Sequence, residues 1–364
     1  MKNNLKNIFT IGLPALVLLI FALWCWLKPE IDFSDSERRT LASFPELNQD
    51  TALNGEFMGK FETYTQDQFP MRDTFRRIKA FSVLNIFQQS DNNKIYIKNG
   101  YLSKNEYPLN DAMIKNATDK FNYLYDKYLK DKNNNVYISV IPDKNMFLSD
   151  LRLDYNLLTE KIKNETPDFK YIDIVPLLDI NDYYKTDTHW KQENIIDVAQ
   201  KIASDMNSDI NTEYEENTLN KPFYGVYSGQ YTLPVKPDTL KYLTTDTFNN
   251  CTVTSYDTGT PIQKHIYDIE KANGRDPYEM FMSGSDALLT VENPNCKNNK
   301  HLIMFRDSFG SSISPLFIES YSKITLIDIR YISSDILGQF VNFENADVLF
   351  LYSTLVLNNS LSFK

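Results

Sequence analysis

Two short stretches of this chain carry side chains that can move a proton and attack a carbonyl. The first is Thr186-Asp187-Thr188-His189-Trp190. In an extended backbone, residues two apart point to the same side, so Asp187 and His189 can face one cleft. A carboxylate beside an imidazole fixes its tautomer and stabilises the imidazolium that forms during proton transfer. The second stretch is Arg306-Asp307-Ser308-Phe309-Gly310, directly after the apolar run Leu302-Ile303-Met304-Phe305. A strand-to-helix turn there sets a hydroxyl at the carboxyl end of a sheet, where open α/β folds place their sites. The amides that open the following helix are expected to be unpaired donors aimed at a developing oxyanion. Taken singly, each stretch has an ordinary reading. Asp-x-His is a local hydrogen bond, and Asp307 or Ser308 is a helix N-cap. Taken together they supply a nucleophile (Ser308), a general base (His189) and an orienting acid (Asp187). The chain order Asp, His, Ser is allowed, because triads are defined by geometry. His265 lies in a loop-rich region and His301 follows the polar run Lys297-Asn298-Asn299-Lys300, so both read as solvated.

The elements that must hold these groups follow from periodicity. Val136 to Ile141, residues 171–175, 302–305, 324–329 and 347–352 are short apolar runs suited to buried strands. Helical patterns cover 55–88, with a break at Phe69-Pro70, and also 110–130, 192–206 and 309–320. Asn99-Gly100 between two alternating runs predicts a hairpin over 94–103. Strands alternating with helices imply an α/β fold with a mostly parallel sheet flanked by helices. Residues 208–260 lack helical pattern and read as an insertion of loops and short strands.

Composition excludes several functions. The chain has 364 residues, 42% of them hydrophobic, and a net charge of −10. Residues 1–27 carry Lys2 and Lys6 and no acid, so the remainder stands at −12. An acidic body argues against nucleic acid, which needs a basic face. Three cysteines (Cys25, Cys251 and Cys296) form no Cys-x-x-Cys or Cys/His cluster, so neither zinc nor any other metal or cofactor is expected. Cys251 and Cys296 could pair, and the sequence leaves that open. Residues 8–27 are an uncharged run long enough to cross a bilayer as a helix. Basic residues precede it, Trp24 and Trp26 sit near its far end, and no small-residue cleavage pattern follows. Residues 1–27 therefore read as an uncleaved membrane anchor, 28–54 as an extended leader, and 55–364 as an extracytoplasmic catalytic domain.

With these motifs in place, the chain resembles the SGNH-like acetyltransferases of bacterial exopolysaccharide synthesis, the alginate O-acetyltransferase and DHHW proteins. The resemblance runs through Glu37-Arg38-Arg39-Thr40-Leu41, Asp67-Gln68-Phe69-Pro70-Met71-Arg72, Ile141-Pro142-Asp143-Lys144, and the two stretches around His189 and Ser308. It implies an SGNH-hydrolase-like fold with permuted motif order, Ser308 as nucleophile, His189 as base and Asp187 as orienter. It also implies acetyl transfer to a polysaccharide acceptor through an acetyl-serine, with a multi-spanning membrane O-acyltransferase as donor. An esterase of the same fold and a non-catalytic glycan-binding subunit are the alternatives. Two departures stand out: Thr188 replaces the second His of the DHHW pattern, and Arg306 replaces the Gly of Gly-Asp-Ser. Phe281-Met282-Ser283-Gly284 resembles the Gly-containing stretch ahead of the serine block. Gly284 is thus either a second oxyanion donor beside the Ser308 amide or a plain turn glycine.

Overall fold

The structure, a computed structural model, describes residues 2–364; the side chains of residues 1–5 and 7, Lys2 among them, lie outside the described set. The chain forms two compact units, residues 1–93 with 228–234, and residues 94–227 with 235–364.

The larger unit is built on an eight-stranded sheet. Its strands in chain order are β1 Asn135–Ile141, β2 Lys170–Tyr171, β3 Thr252–Ser255, β4 Ile262–Lys264, β5 Leu288–Glu292, β6 His301–Arg306, β7 Lys323–Ile327 and β8 Asp347–Ser353. The spatial order is β4-β3-β5-β7-β6-β8-β1-β2. The run from β7 to β2 is parallel, and β5, β3 and β4 extend it antiparallel. The fold is therefore α/β with a mostly parallel sheet. Alternate residues of each strand enter opposite cores. Leu302, Met304, Leu349 and Leu351 pack with Val198, Ala199 and Ile202 of the helix Ile196–Asp205. Ile303, Phe305, Val348 and Phe350 pack with Phe121 of the helix Asp111–Leu124 and with Leu158 and Ile162 of the helix Tyr155–Glu165. Both faces are covered, which is why these strands are apolar throughout rather than alternating.

The turns follow local chemistry. Asn99 and Gly100 both adopt positive φ, 52° and 82°, between the antiparallel strands Ile95–Lys98 and Tyr101–Lys104, as a two-residue hairpin turn requires. The strand expected over 171–175 is shorter: only Lys170–Tyr171 pairs, and Val175–Leu177 turns into a 3-10 helix around Pro176, which has no amide hydrogen for a ladder. The helix expected over 309–320 is α-helical only over Phe309–Ile313; Pro315 follows and Ser314–Ser320 tightens to 3-10. Within 208–260 the main element is an antiparallel ribbon, Glu215–Phe223 with Asp238–Thr244. The helix Tyr155–Glu165 and the strand β5 are absent from the reading of the sequence.

The smaller unit holds the helix Lys2–Leu27, of which Ile8–Leu27 is long and apolar enough to cross a membrane. It also contains the helices Glu56–Asp67 and Arg72–Phe81. The leader closes on them through ion pairs. Arg39 meets Asp67 at 2.5 Å, and Glu37 meets Arg72 at 2.6 Å and Arg76 at 3.6 Å.

Candidate active site

Parallel strands share one carboxyl edge, so the residues following β6, β8 and β1 converge. Ser308 lies two residues beyond β6. Asp307 is buried and organises the turn: its Oδ1 accepts the Phe309 amide at 3.0 Å and its Oδ2 accepts the Ser353 amide at 2.8 Å, at the end of β8. The capping role thus belongs to Asp307. Ser308 occupies the cap position without a side-chain capping bond, and its Oγ lies 2.8 Å from His189 Nε2. His189 Nδ1 lies 2.6 Å from Asp187 Oδ1, which also accepts the His189 amide at 3.1 Å. Asp187 Oδ2 accepts the Val226 amide at 2.9 Å. Asp187 is 1% exposed and His189 7%, whereas Ser308 is half-buried, so solvent reaches the relay at its hydroxyl end.

Several groups not singled out by the sequence hold the histidine loop in place. The Lys144 ammonium, fully buried just beyond β1, donates to the carbonyls of Asp187 at 2.6 Å, Tyr184 at 2.8 Å and Lys185 at 3.4 Å. Burial pushes its pKa down and that of neighbouring Asp143 up. Asp238 accepts the amides of Lys185 and Thr186 and the Thr186 hydroxyl, at 2.8, 2.7 and 2.6 Å. Gly225 passes so close that a Cβ there would fall 2.3 Å from the Asp187 Cα; only glycine fits. Trp190 ties the two motifs together, its indole donating to the Phe309 carbonyl at 3.2 Å and to Ser312 Oγ at 2.9 Å. Tyr278 lies flat on the imidazole, with ring centres 3.8 Å apart, and its hydroxyl is 2.7 Å from Ser312 Oγ. Of these, Lys144 and Trp190 lie in quoted motifs; no signal in the sequence marks Gly225, Asp238 or Tyr278.

The amides near Ser308 fall into two groups. The Phe309 amide is bound to Asp307 Oδ1 and the Gly310 amide to the Asp307 carbonyl, so these helix-start amides are occupied. Among the described residues the Ser308 amide has no hydrogen-bond partner. Gly284 has φ 99° and donates its amide to the Phe281 carbonyl at 3.1 Å, which accounts for it as a turn glycine. Arg306 is fully buried. Its stem lies where a Gly310 Cβ would fall, 2.5 Å from the Arg306 Cβ, and its guanidinium donates to the Asp286 carbonyl at 3.3 Å. The missing Gly of the serine block is thus compensated by Gly310, which gives the arginine stem its space.

The other histidines separate. His265 is exposed. His301 is not the solvated residue expected: its Nε2 lies 2.9 Å from Thr325 Oγ1 across β6 and β7, and burial lowers its pKa to about 4. No group of three or more His, Cys, Asp or Glu side chains positioned to hold a metal occurs among the described residues.

Solved structures give the architecture a context. A DHHW family protein from Eubacterium siraeum aligns with a TM-score of 0.60 and 21% identity, over 75% of this chain and 95% of that one. The chain has the fold of that DHHW protein. PatB1 from Bacillus cereus aligns with a TM-score of 0.57 and 22% identity, over 73% of this chain and 97% of its own, and has also been solved with a sulfonyl adduct. The O-acetyltransferase domain of Pseudomonas putida AlgJ aligns more distantly, at a TM-score of 0.43 and 12% identity over 72% of this chain and 92% of that one, too remote to carry an argument. No family model matches the chain. No curated protein sequence matches it either.

Proposed function

We propose that this protein is a membrane-anchored, extracytoplasmic O-acetyltransferase that modifies a cell-surface polysaccharide through an acetyl-serine. The observation that carries this reading is the continuous relay Ser308 Oγ to His189 Nε2 at 2.8 Å and His189 Nδ1 to Asp187 Oδ1 at 2.6 Å. Both spacings lie within hydrogen-bond reach of a working base, and the serine hydroxyl has no capping duty to compete with it. His189 takes the Ser308 proton as Oγ bonds to the acetyl carbon. The tetrahedral oxyanion faces the Ser308 amide, and the donor's leaving group departs with the proton. A sugar hydroxyl then enters, gives its proton to His189 and attacks the acetyl-serine carbonyl. Serine leaves, recovering the proton. No metal or cofactor is called on. The acetyl donor is proposed to be a multi-spanning membrane O-acyltransferase, in keeping with the apolar helix Ile8–Leu27.

The test pairs the full chain with Ser308→Ala, using 4-nitrophenyl acetate as donor and the producing cell's own envelope polysaccharide as acceptor. Acetyl ester on the glycan from the parent and not from the variant is expected. Equal acetylation by a folded variant removes Ser308 from the chemistry. Free acetate with an unmodified glycan replaces the transferase by an esterase of the same site.

A further inference from the structure

Within the smaller unit, the last third of the apolar helix packs on a second helix. The Phe21 ring stacks on Phe69 at 5.4 Å and meets Phe75 edge-on at 5.7 Å, and Cys25 Sγ lies 3.7 Å from the Gln68 carbonyl. Phe21 stands six residues before Leu27, the end of the span. With the hydrocarbon boundary set at Leu27, a rise of about 1.5 Å per residue would put it about 9 Å inside. Any group in ring contact with Phe21 is drawn to nearly the same depth.

Phe75 belongs to the helix Arg72–Phe81, which continues as a π turn over Ser82–Ile86. Phe75, Ile78 and Ile86 recur along it at three- and eight-residue spacings, one face of a helix. All three are exposed, Ile78 by 55% and Ile86 by 62%. Arg72 and Arg76 have their charge met by Glu37, Asp67 and Asp73. Arg77 is exposed on the opposite side, and Lys79 is exposed at the flank beside Asn93. A half-apolar helix fixed against a membrane span, with cationic heads free to reach outward, has the layout of an in-plane interfacial segment.

We propose that the face bearing Phe75, Ile78 and Ile86 lies in the outer leaflet of the membrane, with lipid as its occupant. Continuity with the span favours lipid over a protein partner: the face starts at the depth of Phe21, where acyl chains are the surrounding medium. The embedded segment would hold the smaller unit at the bilayer surface. This rests on reading Ile8–Leu27 as a retained span, and not on the chemistry of Ser308.

The experiment uses the full chain in phosphatidylcholine–phosphatidylglycerol vesicles, with Cys25, Cys251 and Cys296 changed to serine. Single cysteines introduced by Leu18→Cys, Arg77→Cys, Ile78→Cys and Ile86→Cys carry an environment-sensitive fluorophore, and lipids spin-labelled near the headgroup are the quencher. Probes at 78 and 86 should lose most of their fluorescence while the probe at 77 keeps it. If the probe at 18 is quenched by a second lipid, spin-labelled deep in its acyl chain, but those at 78 and 86 are quenched by neither lipid, the proposal is overturned and a protein partner becomes the alternative. If the probe at 18 is not quenched either, the span itself is overturned and the proposal with it. Neither result touches the acetyl-transfer reading, which the glycan assay decides separately.

Discussion

Replacing Asp187 by asparagine isolates what its charge does. Both carboxylate oxygens accept hydrogen bonds: Oδ1 from the His189 ring and amide, Oδ2 from the Val226 amide. An asparagine can present only one acceptor oxygen. With the oxygen toward His189, its NH2 meets the Val226 N–H, two donors face each other in a buried place, and about 1–3 kcal/mol is lost. With the NH2 toward His189, Nδ1 must become the acceptor, the proton moves to Nε2, and the ring can no longer take the Ser308 proton. Either way the imidazolium loses its counter-charge. The expected fall in kcat is about ten-thousandfold, equivalent to about 5 kcal/mol of transition-state stabilisation. Burst and steady-state hydrolysis of 4-nitrophenyl acetate by the purified full chain measures it, with a thermal melt to verify folding. An Asp187→Asn protein that melts like the parent and keeps kcat within about tenfold would refute the relay as the source of reactivity.

Three further outcomes follow from the same geometry. Gly225→Ala should lower kcat by about a hundredfold, because its Cβ would fall on the Asp187 backbone and displace the acid; a parental rate would mean that this close approach does not set the relay. Lys144→Met strands the buried carbonyls of Tyr184 and Asp187, while that of Lys185 keeps the Leu102 amide, and should cost about 3 kcal/mol of unfolding free energy, read from urea titration; a loss below about 1 kcal/mol would show that the loop stands without the ammonium. His301 has a folded pKa of about 4 against about 6.5 when unfolded. The unfolded chain therefore binds the extra proton between those values, and stability present above pH about 6.5 is lost as the pH falls toward about 4, by about 3 kcal/mol at most. His301→Gln should flatten that acid limb of the melting curve, and an unchanged limb would place its cause elsewhere.

The sheet and the two candidate motifs are legible because both are local in sequence. Buried parallel strands such as Leu302–Phe305 read as unbroken apolar runs, and Asn99-Gly100 marks its turn by conformational need. Asp-x-His and the serine after a strand each have plain alternatives when seen singly. What separates them is which side chain does the capping, and that depends on Asp307 reaching Ser353 across to β8. Gly225 and Tyr278 left no mark, because a close backbone passage and a ring stacked on an imidazole exist only after distant segments meet. The same holds for His301: a polar run before it suggested solvent, but the strand it opens carries it between β7 and β8. The early ends of the strand expected over 171–175 and of the helix after Ser308 go with Pro176 and Pro315, whose lost N–H outweighs the apolar pattern around it.

The base and the hydroxyl it serves are 119 residues apart in sequence and 2.8 Å apart in space. Before those two stretches meet, Ser308 is an ordinary alcohol, no more nucleophilic than any other in the chain. On the proposed reading, reactivity arises with the last parallel strand, since β8 supplies the amide that steadies Asp307. On that reading, the chemistry is acquired only when the sheet is complete, so folding itself is the activating step.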